Sequence, residues 1–239
     1  MYKGHRILVL APAYNEEVKI GEVVRRMPMD LVDTALVIDD GSTDRTAQVA
    51  RERGAEVVSM GRVAGVGAAL RRGIEYGQTR GFDILVFIAG NNKDDPSQIV
   101  DLVKPIVDGG YDFVMGSRYL AGGQAGNTPL YRRLSTKLHP LLFSLVVGKR
   151  LTESTNGFRA FRAALLQDKR INLWQDWLDQ YELEPYLLFK TIRLGYKHTE
   201  VPVRKVYPPK KIGYTKMKPI TGWWSILRPI VLLGLGLKR

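Results

Sequence analysis

The stretch that most constrains this chain is residues 83–96, Asp-Ile-Leu-Val-Phe-Ile-Ala-Gly-Asn-Asn-Lys-Asp-Asp-Pro. Ile84 to Ile88 is an unbroken apolar run of β-branched and aromatic residues, the pattern of a strand buried on both faces. Ala89 and Gly90 then remove side-chain bulk, and the polar run Asn91 to Asp95 follows. Asp95 and Pro96 are the residue types of a helix N-cap and first helical position. Beyond them Ile99, Val100, Leu102, Val103, Ile106 and Val107 recur at helical spacing on one apolar face. A doubly buried strand feeding a helix is the unit of a parallel sheet covered on both sides. In open sheets of that kind, ligands bind outside the carboxyl ends of the strands. A capped βα turn accounts for Asp95 and Pro96. It does not account for Asn91, Lys93 and Asp94 together.

The same unit repeats upstream. Arg6 to Leu10 is a first buried strand running into Ala11-Pro12-Ala13-Tyr14-Asn15-Glu16-Glu17. Pro12 is expected to end it, and Asn15 to cap a helix with Glu16 and Glu17 in its first turn. Ala35 to Ile38 is a second strand, ending in Asp39-Asp40-Gly41-Ser42-Thr43-Asp44. There Gly41 permits a tight turn, and Ser42 or Thr43 caps a helix closed by Gly54. Glu56 to Ser59 is a third strand. Gly65 and Gly67 lead into the next helix, an arrangement that can bring backbone N–H groups to a phosphate, although no GxGxxG follows a strand here. Phe113 to Ser117 is a fifth strand, followed by Arg118 and a glycine-rich loop. The first ~120 residues therefore alternate β and α, which predicts an α/β, Rossmann-like, mostly parallel sheet with helices on both faces.

The second half reads differently. Arg132 to Val147 is a helix, Glu153 to Phe161 a loop entering a short strand, and Tyr181 to Leu194 a helix. Glu200 to Val206 is a strand that Pro202 places at an edge or an end. No linker, repeat or low-complexity tract divides the chain. The expected organisation is one domain over residues 1–218, with residues 1–120 as one half and 121–218 as the other, and then an apolar tail over 219–239.

Charge narrows the partners. The formal net charge is +12, which suits nucleic acid, anionic lipid or phosphate-bearing substrates. Arg204, Lys205, Lys210, Lys211, Lys216 and Lys218 crowd a stretch without an acid, immediately before Gly-Trp-Trp-Ser-Ile-Leu-Arg-Pro-Ile-Val-Leu-Leu-Gly-Leu-Gly-Leu. Arg228 and Pro229 split that apolar run, so it falls short of the ~20 residues a spanning helix needs. Basic residues beside tryptophans and a short apolar tail read as an anchor lying in a membrane surface; a C-terminal helix packed on the domain is the alternative. No RNA- or DNA-binding motif is present, so nucleic acid is not expected. There is no cysteine, which excludes disulfides and thiolate metal sites. The N-terminus enters its first strand without a signal-peptide region. The expected location is cytoplasmic, peripheral at the inner membrane face. Oligomeric state is not legible.

Acidic or amide clusters at the ends of adjacent parallel strands suit a base and a ribose, because carboxylates accept from ring N–H and hydroxyl groups. The series Pro12-Ala13-Tyr14-Asn15-Glu16-Glu17, Asp39-Asp40-Gly41-Ser42-Thr43-Asp44, Gly116-Ser117-Arg118-Tyr119 and Asn156-Gly157-Phe158-Arg159 resembles the family-2 glycosyltransferases of the GT-A fold. The nearest likeness is to the polyprenyl- or dolichyl-phosphate hexosyltransferases, over about residues 5 to 218. The resemblance implies a nucleotide-sugar donor on the first half and a lipid-phosphate acceptor on the second. It implies a donor pocket of Pro12, Ala13, Tyr14, Asn15, Glu16, Asp39, Asp40, Gly67, Gly90 and Asn91. Arg118, Arg159, Lys210, Thr215 and Lys216 would face phosphates, and Glu153 and Arg118 would serve the chemistry; Lys93 joins them on its own residue chemistry, as a departure from the family.

Three departures from the family pattern matter. Where the family shows Asp-x-Asp and then Gln two residues later, holding a divalent metal, this chain has Ala89, Gly90, Asn91 and Lys93. Alanine cannot ligate, and asparagine is a neutral oxygen donor. Either Asn91 and Asp94 hold Mg²⁺ or Mn²⁺ with waters and diphosphate oxygens, or Lys93 neutralises the diphosphate directly. Glu153 replaces the usual Asp before Gly-Phe-Arg. Lys210 to Lys216 replaces Arg-x-x-Gly-x-Ser-Lys, losing an arginine fork.

The expected activity is transfer of a hexose from a nucleotide diphosphate sugar to a lipid phosphate, with inversion at the anomeric carbon. Transfer to a saccharide hydroxyl, with Glu153 as base, is the alternative within enzymes. A non-catalytic nucleotide-sugar binder is the alternative outside them.

Overall fold

The computed structural model describes residues 1–208 and 221–238. Nine strands and seven α-helices follow in chain order among the described residues. The first half holds β1 (Ile7–Ala13), α1 (Glu17–Arg25), β2 (Thr34–Asp39), α2 (Thr46–Glu52), β3 (Glu56–Ser59), α3 (Val66–Thr79), β4 (Ile84–Phe87), α4 (Ile99–Gly109) and β5 (Phe113–Ser117). The second holds β6 (Gln124–Gly126), α5 (Leu130–Val147), β7 (Arg159–Arg162), α6 (Leu183–Arg193), β8 (His198–Pro202), β9 (Arg204–Val206) and α7 (Thr221–Gly234).

The main sheet has seven strands in the order β3-β2-β1-β4-β7-β5-β8. Its neighbours are parallel except at β7, which runs antiparallel to both β4 and β5. Alternation along β1 and β4 divides the core into two layers. Leu8, Leu10, Leu85 and Phe87 face one, and Ile7, Val9, Ile84 and Val86 face the other. That is why these strands read as continuous apolar runs. The order β2-β1-β4 sets the three polar strand ends side by side.

Four local expectations change. Pro12 does not end β1, which continues to Ala13 with Pro12 opposite Ile38 of β2. The Pro12 carbonyl accepts from Gly90 N at 3.1 Å, so its nitrogen points toward β4 beyond the last paired residue and costs the β1–β2 ladder nothing. Asn15 does not cap α1. It takes a left-handed conformation (φ 49°) and accepts instead from Thr43 N at 2.8 Å, tying the ends of β1 and β2 together. Neither Ser42 nor Thr43 caps α2; Asp44 accepts from Thr46 N at 2.9 Å. Finally, Glu200 to Val206 is two strands, not one. β8 ends at Pro202, and β9 leaves the main sheet to pair in parallel with β6.

The tail also differs from a free anchor. α7 packs on α5 and α6. Ser225 accepts from Tyr181 N at 3.0 Å, and Arg228 pairs with the buried Glu182 at 2.7 Å. Leu233 is buried, while Trp224, Val231, Leu235 and Leu237 remain exposed. Among the described residues no helix is long and apolar enough to cross a membrane.

Candidate active site

The polar clusters at the ends of β1 and β2 are tied into one frame. Asp40 N donates to Ala13 O at 2.9 Å, and Glu16 N to Thr46 Oγ1 at 2.7 Å. Asp39 is 6 % exposed. One of its oxygens accepts from Ser42 N at 3.1 Å and the other from Ser59 Oγ at 3.3 Å. Two lone pairs remain on a carboxylate fixed at the cleft. Asp40 is spent differently: it accepts from Ala64 N at 2.7 Å and from Gly65 N at 3.0 Å, and so fastens the loop that enters α3. Gly41 has to be glycine, since its φ is 70° and a Cβ would lie 2.5 Å from the Arg62 carbonyl carbon.

Two glycines expected at the donor hold the frame instead. Gly67 N donates to Asp179 O at 2.8 Å, and a Cβ there would lie 1.9 Å from Leu178 O. The segment before α6 thus occupies the place a phosphate would need. Gly90 lets β4 pass close to β1; a Cβ would meet that of Ala13 at 2.9 Å.

The end of β4 faces the second half of the chain. Lys93 O accepts from Val206 N at 2.7 Å, and Asp94 bridges to Lys205. The Lys205 ammonium then donates to both oxygens of Asp94, at 2.7 and 2.6 Å, and to Asn156 Oδ1 at 2.8 Å. Asp94 is 2 % exposed. The expectation that Asp94 ligates a metal therefore meets a carboxylate whose two oxygens both accept from a buried ammonium. Asn91 Oδ1 accepts from Lys93 N at 3.2 Å.

Lys93 itself is 9 % exposed. Its ammonium lies 4.6 Å from the centre of the Tyr207 ring, and among the described residues it has no hydrogen-bond acceptor. Arg132 sits on the same ring, 5.9 Å from its centre. Burial first, then the charges of Lys205 and Arg132, push the Lys93 ammonium down to about 7.

Glu153, from the second half of the chain, brings a buried ion pair to the site. Arg118 Nε donates to Glu153 Oε2 at 2.7 Å, and Glu153 Oε1 accepts from Ser154 N, Thr155 N and Thr155 Oγ1 at 2.8–3.0 Å. Burial alone would raise the Glu153 carboxyl; the Arg118 guanidinium and the Thr155 donors outweigh it and hold the group below its ordinary range. A carboxylate so held is a poor proton acceptor. The whole loop hangs from Glu200 of β8, which accepts from Thr152 N at 2.8 Å and Glu153 N at 2.7 Å.

Arg159, expected to face a phosphate, turns into the core instead. It is fully buried and donates to the backbone oxygens of Glu184 and Asn156, bracing the loop from within the core. Lys210, Thr215 and Lys216 lie outside the described residues.

An open groove of about 560 Å³ is lined by Tyr119 and Thr152, the sequence neighbours of the Arg118–Glu153 pair, with Leu141 and Leu145 among its apolar walls and Lys137, Lys149 and Arg150 as its cations. It follows α5, whose outward face carries Leu130, Leu134, Leu138, Leu141, Leu142 and Leu145, at 37–82 % exposure. Three contributors were missed in the sequence: Arg132, Tyr207 and Lys205 as the partner of Asp94. One signal was available. Val203, Lys205 and Tyr207 alternate with Arg204 and Val206, so a buried Val203 sends Lys205 and Tyr207 inward.

Comparison with known proteins agrees with this geometry. The model of the family described as Glycosyl transferase family 2 matches residues 8–169. An undecaprenyl-phosphate mannosyltransferase of Micrococcus luteus is 31% identical over 218 residues, covering 89% of this chain and 87% of that protein. A polyprenol monophosphomannose synthase of Mycolicibacterium smegmatis is 30% identical over 219 residues, covering 89% and 81%. Among solved structures, glucosyl-3-phosphoglycerate synthase of Mycobacterium tuberculosis, in complex with Mn²⁺, UDP and glucosyl-3-phosphoglycerate, superposes with a TM-score of 0.69 at 25% identity, covering 99% of this chain and 82% of that one. The mostly parallel sheet is thus the GT-A arrangement.

Proposed function

Because the chain belongs to glycosyl transferase family 2, we propose that it moves a hexose from a nucleotide diphosphate sugar to a polyprenyl-phosphate-type lipid at a membrane surface. The observation that carries this reading is the groove at Tyr119 and Thr152. Its leucine walls suit an isoprenyl chain, and its cations suit a phosphate.

The donor nucleoside occupies the ends of β1 and β2, with Asp39 accepting from the base. The hexose lies at the seam between Lys93 and Arg118. An acceptor phosphate is already an anion at neutral pH, so it needs position and charge neutralisation more than a base. A phosphate oxygen attacks the anomeric carbon from the face opposite the leaving group. The new C–O bond forms as the bond to the diphosphate breaks, the configuration inverts, and the nucleoside diphosphate departs. Glu153 acts by holding Arg118 toward that phosphate, as its lowered pKa and full hydrogen bonding suggest.

Membrane contact falls to α5 and α7 together. α5 has no acid anywhere in its length, and exposed Arg133, Lys137, Lys149 and Arg150 flank its leucine face. Apolar side chains between cations match an anionic bilayer surface. The attachment is peripheral, on the side where nucleotide sugars are available.

The match to glucosyl-3-phosphoglycerate synthase favours a second reading, a small phosphorylated acid as acceptor. The exposed leucines speak for lipid. The test is incubation of the purified protein with a panel of nucleotide sugars and polyprenyl phosphate in anionic vesicles, followed by mass spectrometry of the lipid. A hexosylated lipid phosphate is expected. Its absence with every donor refutes the reading.

A further inference from the structure

Mn²⁺ accompanies UDP in the solved mycobacterial relative, so the fold raises the question of a divalent ion here. The residues at the end of β4 do not fit one. Ala89 brings no oxygen, and Asn91 offers a neutral one that already accepts from Lys93 N. Both oxygens of Asp94 are taken by the Lys205 ammonium. Among the described residues no group of three His, Cys, Asp or Glu side chains could hold a metal ion. Mg²⁺ and Mn²⁺ favour carboxylates and waters around them.

The same place is built for an anion. Lys93, Lys205, Arg132 and Arg118 converge there: Lys93 and Arg132 share the Tyr207 ring, Lys205 holds Asp94, and Arg118 feels the charges of both Tyr207 and Asp94. Lys205 and Arg118 each have their own carboxylate. Among the described residues Lys93 has only the Tyr207 face, and no acid lies at hydrogen-bonding distance from its ammonium. A divalent cation beside it would add to the repulsion that Lys205 and Arg132 already exert; a diphosphate would relieve it.

Position agrees with charge. Lys93 follows β4, next to the β1 end that serves the donor, while its other neighbours Tyr207, Arg132 and Lys205 come from the acceptor half. That seam is where a leaving diphosphate has to lie if the hexose is to cross from one half to the other. We propose that this protein binds its donor diphosphate without a divalent ion, and that the Lys93 ammonium supplies the positive charge in its place. The proposal rests on the donor reading given above. It makes the loss of the two carboxylates and the gain of a lysine one coordinated substitution. Lys205 serves it indirectly, by holding Asp94, one of the two acids whose charge reaches Lys93; the other, Glu16, is paired with Lys19.

Calorimetric titration with UDP, GDP, CDP, ADP and dTDP tests it, each in EDTA and again with saturating Mn²⁺. One of the five is expected to bind the wild-type protein in EDTA, with an affinity that Mn²⁺ changes by less than about threefold. Lys93→Met, which preserves the buried volume, is expected to weaken that binding at least about tenfold, the scale of one charged hydrogen bond. Lys93→Arg is expected to restore most of it. Binding that appears only with Mn²⁺, or Lys93→Met binding as tightly as wild type in EDTA, overturns the proposal and leaves the donor reading standing. The wild-type comparison alone decides this if a variant fails to fold. No binding of any of the five under either condition overturns the donor reading and this proposal together.

Discussion

Replacing Lys205 by methionine isolates the most consequential buried interaction in the site. The substitution removes an ammonium that donates to both oxygens of Asp94 and to Asn156. The Asp94 side chain is 0% exposed and that of Lys205 10%, so water cannot take the place of the lost donors. Stranding one member of a buried ion pair costs about 3–5 kcal/mol, far more than the pair gains over an apolar isostere of the same volume. Lys205→Met should therefore lower the unfolding free energy by about 4 kcal/mol, whereas Asp94→Leu combined with Lys205→Met should recover most of it. Urea denaturation of the three proteins, with unchanged m-values, is the assay. A loss below about 1 kcal/mol, or a double variant no better than the single, would refute the claim that Asp94 is held by Lys205.

Two further outcomes follow from the geometry. Asp39→Ala should weaken nucleoside diphosphate binding by about 1–3 kcal/mol, read by calorimetry; an unchanged affinity removes Asp39 from the donor pocket. His139 is buried on α5, with Nδ1 at 2.7 Å from Ser154 Oγ and Nε2 at 3.1 Å from Ile226 O, and burial lowers its pKa below the ordinary histidine value. The unfolded chain therefore binds the proton more readily. The stability contributed by neutral His139 is complete above about pH 6.5 and is lost as pH falls below it. His139→Gln should flatten the fall in melting temperature between neutral and mildly acidic pH, and an unchanged slope would contradict it.

The architecture was legible because parallel strands announce themselves. Ile7 to Leu10 and Ile84 to Phe87 are buried on both faces, so no polar residue interrupts them and periodicity cannot mislead. The antiparallel β7 and the switch from β8 to β9 were harder to read, because a short strand placed by its neighbours has no periodic signature of its own. Within the site, the polar clusters marked which strand ends matter but not what each side chain does there. Gly67 reads as a phosphate cradle until the 178–180 backbone is seen to fill it. Arg159 reads as a phosphate ligand until its guanidinium is found inside the core. Asp94 reads as a metal ligand until Lys205, more than a hundred residues away in sequence, takes both its oxygens. Each of these depends on a long-range partner that local sequence does not contain. The apolar tail is a related case: Arg228 reads as an interruption of the apolar run, and with Ser225 it supplies the contacts that dock α7 on the domain.

The central claim, a lipid phosphate as acceptor, is tested most directly by donor turnover with two acceptors offered side by side. Release of the nucleoside diphosphate is followed with polyprenyl phosphate in anionic vesicles, with 3-phosphoglycerate in solution, and with both together. Turnover with the lipid that is unaffected by 3-phosphoglycerate, and abolished in the Leu134→Glu, Leu138→Glu double variant that no longer floats with vesicles, is the predicted result. Turnover with 3-phosphoglycerate in preference to the lipid, unchanged in that variant, would contradict it.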